Sequence, residues 1–168
     1  MLRSVVSVAL VFAACSANNP ESPTETPDAS SSDGTEATTT DAAVADVTGV
    51  PVSGDASNYT FSVTLASPDT GCDQYANWWE VLDQDGALLY RRILGHSHVD
   101  EQPFTRTGGP VEIAADQVVY VRAHMDPGGY GGDVFTGSVA NGFEPATNLP
   151  SIDAAVETAD PQPTGCAF

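Results

Sequence analysis

Between residues 58 and 65 the chain alternates without a break, with Tyr59, Phe61, Val63 and Leu65 on one parity and Asn58, Thr60, Ser62 and Thr64 on the other. Successive strand side chains point to opposite faces, so this stretch predicts a half-buried antiparallel strand. Residues 75–82 form a second, aromatic-rich strand pattern. Asp83-Gln84-Asp85-Gly86 follows as a hairpin turn with glycine where a positive φ is needed, and residues 87–94 are the return strand. Further strands are predicted at residues 111–113, 117–125 and 133–139. The middle one of these turns Val119, Val121, Ala123 and Met125 to one face and Tyr120, Arg122 and His124 to the other. Residues 126–132 hold one proline and four glycines, which dissolve regular structure into a loop. About six to eight short strands with turn residues between them predict an all-β fold, an antiparallel immunoglobulin-like sandwich, with a small jelly roll or barrel as the alternative. The Pro- and Ala-rich tail, residues 141–168, is expected to be loosely structured, with at most a turn of helix between Ile152 and Ala159.

The N-terminal third has a different character. Residues 1–14 carry one arginine and then a run from Val5 to Ala14 that is apolar except for Ser7, too short to span a bilayer and laid out as a secretory signal. The run ends Val11-Phe12-Ala13-Ala14-Cys15, which resembles the lipobox of bacterial lipoproteins. That resemblance implies cleavage before Cys15 and acylation of the cysteine, although Phe12 departs from the usual aliphatic residue. Ser16 after the cysteine resembles lipoproteins sorted to the outer membrane. An ordinary secretory signal is the alternative, and either one exports the chain. Residues 15–46 hold the cysteine and then little beyond Ser, Thr, Ala, Pro and acidic residues, a composition that cannot bury enough apolar surface to order itself. This segment is expected to be a tether, leaving residues 47–168 for the folded domain.

The formal net charge is -18, with 23 acidic residues against five arginines and no lysine. Nucleic acid is therefore not an expected partner, since phosphate binding needs a basic surface. Membrane contact has to come through the lipid anchor rather than through side-chain charge. The acidity itself favours solubility. With Cys15 lipidated, Cys72 and Cys166 remain, and an even remainder in an oxidising compartment is most simply a disulfide.

Three histidines are candidates for chemistry. His96 and His98 continue the parity of the return strand, and His124 lies on the polar face of another. If those faces coincide, three imidazoles meet, with Glu101, Asp100 or Asp126 to complete a shell suited to Zn²⁺ or Cu²⁺; the alternative is ordinary loop-edge histidines hydrogen-bonded to neighbouring carboxylates. A metal-dependent hydrolase using Glu101 as general base would need the same site. Arg92, Arg106 and Arg122 fall in the same part of the chain and could clamp a carboxylate or a sulfated sugar. The alternative for the arginines is pairing with Glu80, Glu101, Glu112 or Asp116. The adjacent Trp78 and Trp79 must face opposite ways, and an outward indole could serve as the platform of a carbohydrate-binding module. Asn58-Tyr59-Thr60 has the pattern of an N-glycosylation acceptor, which behind a lipobox of bacterial type reads as coincidence.

The succession Tyr75-Ala76-Asn77-Trp78-Trp79-Glu80-Val81, His96-Ser97-His98-Val99-Asp100-Glu101-Gln102-Pro103-Phe104-Thr105-Arg106, Val121-Arg122-Ala123-His124 and Gly129-Tyr130-Gly131-Gly132 resembles a family of small, uncharacterised exported bacterial proteins. The resemblance covers roughly residues 58–139 and implies a compact domain with these segments close together. It carries no activity and no site residue. A lipid-anchored envelope β-domain is thus expected, binding or structural in role, whose partner would be a small molecule, a glycan or another envelope protein.

Overall fold

Strand β3 (Asn58–Ala66) is the axis of one of two antiparallel sheets in a computed structural model that describes residues 42–167. The signal-like segment, Cys15 and nearly all of the tether lie outside the described residues. In chain order the other strands are β1 (Asp46–Gly49), β2 (Val52–Asp55), β4 (Tyr75–Leu82), β5 (Leu88–Ile93), β6 (Phe104–Val111), β7 (Val119–Asp126), β8 (Phe135–Ser138) and β9 (Gly142–Pro145). The fold is all-β, as the alternation predicts. Strands β1 and β2 pair with the two ends of β3 along one edge, and β6 pairs with it along the other. The second sheet runs β5-β4-β7-β8-β9. The two sheets stay separate, which makes a sandwich and not a barrel.

The core fills the space between them. Phe61, Val63 and Leu65 from β3 meet Trp79 and Val81 from β4 and Val119, Val121 and Met125 from β7, all fully buried. The inward parities of β3 and β7 are those expected, and the hairpin glycine Gly86 has φ 81°. Four strands were not expected: β1, β2, β6 and β9. Strand β6 reads Phe-Thr-Arg-Thr-Gly-Gly-Pro-Val, and its glycines and proline argue against a strand. Packing supplies the reason for one of them: a Cβ on Gly108 would lie 2.8 Å from Trp79 Cζ2 and 2.7 Å from Tyr90 Oη. Strand β6 gives up a side chain there so that the indole fits. The strand expected at residues 111–113 is the end of β6, which stops at Val111.

The tail, residues 141–168, opens with β9 and has one further regular element, a 3₁₀ turn, Ala154–Val156, inside the stretch where a turn of helix was expected and capped by the Asp153 carboxylate accepting from Ala155 N. It is docked by the expected Cys72–Cys166 disulfide, whose Cα atoms lie 5.6 Å apart at a sequence separation of 94. Beyond it Ala167 N donates to Gly95 O, bridging the chain's end to the segment after β5.

Gly108→Ala should cost about 1–3 kcal/mol by overpacking against the indole. In a Trp79→Ala background the same substitution should cost less, since the indole contact is gone and only the Tyr90 hydroxyl remains close. Urea melts of the four proteins in this cycle check the coupling, and strict additivity would refute the packing account.

Candidate functional site

Strand β4 is buried along its whole length, so something other than the core must cover its outer face. A β-bulge at Asn77 sets the pattern: Ala76 pairs with Met125 and Trp78 with His124, leaving Asn77 as the extra residue. Beyond the bulge Trp79 and Val81 face the core, while Trp78 and Glu80 face outward. In the two neighbouring strands the residues directly opposite Glu80 are Arg91 on β5 and Arg122 on β7. The register therefore lays an Arg-Glu-Arg row straight across three central strands.

Every distance in this row is short. Glu80 Oε2 accepts from Arg91 Nε at 2.8 Å and lies 2.6 Å from Arg91 Nη2. Glu80 Oε1 accepts from Arg122 Nε at 2.7 Å, lies 2.7 Å from Arg122 Nη2 and accepts from the Tyr130 hydroxyl at 3.0 Å. Glu80 is 0% exposed. Two guanidiniums against one carboxylate leave one positive charge over, and the tail answers it with carbonyl oxygens. Arg91 Nη2 donates to Val156 O at 2.6 Å, and Nη1 donates to Ala159 O at 2.6 Å and Pro161 O at 3.3 Å. The Gly-rich loop after β7 completes the cover by delivering Tyr130. Its ring lies under Arg122, and burial together with the Glu80 charge pushes its hydroxyl up to about 12.

Both tryptophans are consumed by this packing, which corrects the expectation of a sugar platform. Trp79 lies in the core, 0% exposed, and Trp78 is 3% exposed. The Trp78 ring stacks on His124 at 3.8 Å and carries the Arg91 guanidinium at 4.5 Å, from strands on opposite sides of β4. Its Nε1 donates to the Tyr130 hydroxyl at 3.1 Å. His124 Nδ1 donates to Asn77 Oδ1 at 2.7 Å, and its Nε2 lies 3.5 Å from Glu157 of the tail. Burial pushes this imidazole down, against the pull of the Glu157 carboxylate. A cleft of about 580 Å³ opens beside the cluster, between Trp78, His124 and tail residues 162–166.

His96 and His98 belong to a different place. Strand β5 ends at Ile93, so the parity argument that carried both rings onto its face fails there. The two rings do lie together, centroids 4.3 Å apart, beside a cleft of about 480 Å³. His98 is 2% exposed and stacks on Phe104 at 3.7 Å, with neither ring nitrogen hydrogen-bonded among the described residues. Burial, reinforced by the Arg106 charge, pushes its imidazole down to about 4. The segment is held by Asp69, a buried carboxylate that accepts from His98 N at 2.8 Å, Ala76 N at 3.0 Å and Ser67 Oγ at 2.7 Å.

The expected three-histidine metal centre is therefore not assembled. His124 is packed among Trp78, Asn77, Tyr130 and Glu157, away from the His96–His98 pair. No group of three or more His, Cys, Asp or Glu side chains is placed to hold a metal ion among the described residues. Glu101, the proposed fourth ligand or general base, is instead exposed and accepts from Arg106 at 2.6 Å, which holds its carboxyl below the usual range. The arginines do not converge on an anion either. Arg92 donates to Thr107 O and Ile93 O, Arg106 pairs with Glu101, and Arg122 pairs with Glu80, the internal pairing that was the alternative. Glu80, named at the outset only as a pairing partner for the arginines, is the centre of the cluster, and Arg91 was not singled out as a site residue. A lone carboxylate inside an aromatic strand was the available signal, because such a group has to find a cation.

A protein of Halomicrobium mukohataei, named as a candidate lipoprotein, is 40% identical to this chain over 94 residues, 51% of this chain and 46% of that protein. The match thus spans about half the length of that relative. No family model and no solved structure matches the chain.

Glu80→Gln keeps the shape and removes the charge, leaving two buried guanidiniums opposed only by neutral groups. A loss of about 3–5 kcal/mol is expected, with faster amide exchange in residues 153–163, measured by denaturation and hydrogen exchange. His98 gives a pH signature. Its folded pKa lies below its unfolded value, so its contribution is complete above about pH 6.5 and is lost as pH falls toward about 4. Between about pH 8 and pH 5 that amounts to roughly 2 kcal/mol, and His98→Phe should remove this share of the acid sensitivity in parallel urea melts.

Proposed function

We propose that the chain is a lipid-anchored protein of the cell envelope, whose β-sandwich is carried on an acidic tether and serves as a binding or structural module. The observation that carries this reading is the Cys72–Cys166 disulfide, which closes the described domain and suits an oxidising compartment outside the cytoplasm. Three further facts support it. The lipobox-like run ends at Cys15, the cysteine that remains once Cys72 and Cys166 are paired. A Ser/Thr/Pro-rich, acidic stretch joins it to β1. The relative from Halomicrobium mukohataei bears the name of a candidate lipoprotein.

A modular role fits the geometry better than a catalytic one. All four arginines of the domain are engaged with carboxylates or carbonyls, and the most elaborate polar cluster is spent on seating the tail.

Detergent phase partition tests the anchor. The wild-type chain expressed in its own cells should enter the detergent phase with an N-terminus at an acylated Cys15, and Cys15→Ser should move it to the aqueous phase. Wild-type protein recovered in the aqueous phase with Met1 in place would overturn the reading.

A further inference from the structure

We propose that Asn58 is a site of N-linked glycosylation. Asn58-Tyr59-Thr60 is the single Asn-x-Ser/Thr sequence in all 168 residues, and the structure gives it a setting that the sequence alone does not. Asn58 is the first residue of β3, directly after the turn from β2, and pairs with Asp55 across the hairpin. Asn58 and Thr60 are both exposed, while Tyr59 between them is buried. In an extended strand, residues two apart share a face and stand roughly 7 Å from one another along the chain. The acceptor amide and the hydroxyl that defines the motif are therefore presented together to solvent, on a backbone held in place by the tyrosine beneath.

On the same outer face Ser53 lies opposite Thr60, and Ser62 and its partner Thr107 follow, while Asp55 lies directly opposite Asn58. The donor class is an oligosaccharide linked through phosphate to a membrane lipid, acting on chains at or beyond the membrane. Asn58 Nδ2 forms a bond to the anomeric carbon and the bond from that carbon to the phosphate oxygen breaks. The lipid phosphate leaves with the electron pair, and a proton passes from Nδ2 to a base of the transferase. No oxidant or reductant is needed. The inference rests on the export reading above, because only an exported chain meets such a donor.

The test is peptide mass spectrometry on the full chain isolated from its own cells. The peptide spanning Asn58 is expected to carry a sugar mass that yields oxonium ions on fragmentation. Asn58→Gln and Thr60→Ala should each abolish it, while Thr60→Ser should retain it. A bare Asn58 peptide overturns the proposal, and the N-terminal peptide from the same sample separates the two readings. With an acylated Cys15 the glycan alone fails; with Met1 in place, export fails with it.

Discussion

The Glu80 carboxylate lies between two guanidiniums on the outer face of a sheet, where water cannot reach it, and the shape of the domain's second half follows from that burial. A lone carboxylate there would be too costly to keep, and one arginine would leave lone pairs idle. Two arginines saturate the carboxylate but bring one surplus positive charge, which needs acceptors in turn. The tail provides them as the carbonyls of Val156, Ala159 and Pro161 around Arg91. In this way a charge on the central strand orders a segment about eighty residues further along, a segment with little apolar content of its own. The disulfide acts on the same segment by a different route. It lowers the entropy of the open state, whereas the guanidinium supplies the contacts of the closed one.

This division of labour accounts for the side chains that most resemble a binding site. Tryptophan, histidine, tyrosine and arginine gathered on one sheet face are also what a protein uses to cover that face with a polar peptide. Here the indole has guanidinium on one side and imidazole on the other, and both hydroxyl and indole N–H turn inward to partners. The His96–His98 pair shows a second version of the same economy. Backbone bonds to the Asp69 carboxylate hold the segment, and the His98 ring is treated as an apolar plate against Phe104. A buried imidazole in that position is kept neutral by its surroundings.

Much of the fold was legible in the residues, and the reasons differ from strand to strand. Strand β3 announces itself because it has a wet face and a dry one, which is what alternation records, and β7 alternates likewise in sequence although Tyr130 and the tail bury its polar face. The disulfide followed from counting cysteines in a chain expected to be exported. Strand β6 was hidden in part because Gly108 answers to the indole of Trp79, a contact nearly thirty residues away in sequence. The site was misread at one step, where parity was carried through the end of β5 onto His96 and His98. Parity holds only while pairing lasts, and pairing stops at Ile93. The same step favoured Arg92 over Arg91, although it is Arg91 that stands opposite Glu80. Pairing register is a tertiary fact, and the bulge at Asn77 shifts it by one residue without any mark in the hydrophobic pattern.

The arginines also shape the electrostatics of the whole domain. Two of its four guanidiniums are buried on Glu80, which leaves Arg92 and Arg106 as the cations near the surface of a chain with 23 acidic residues. The exterior carboxylates repel one another, and salt screens that repulsion over distances of about 8–10 Å at ordinary ionic strength. The buried row is screened far less, because ions cannot approach it. Raising ionic strength therefore relieves the unfavourable part of the charge distribution and spares the favourable part. An acidic domain built on this plan gains from salt at its surface, while the contacts that seat its tail keep their strength.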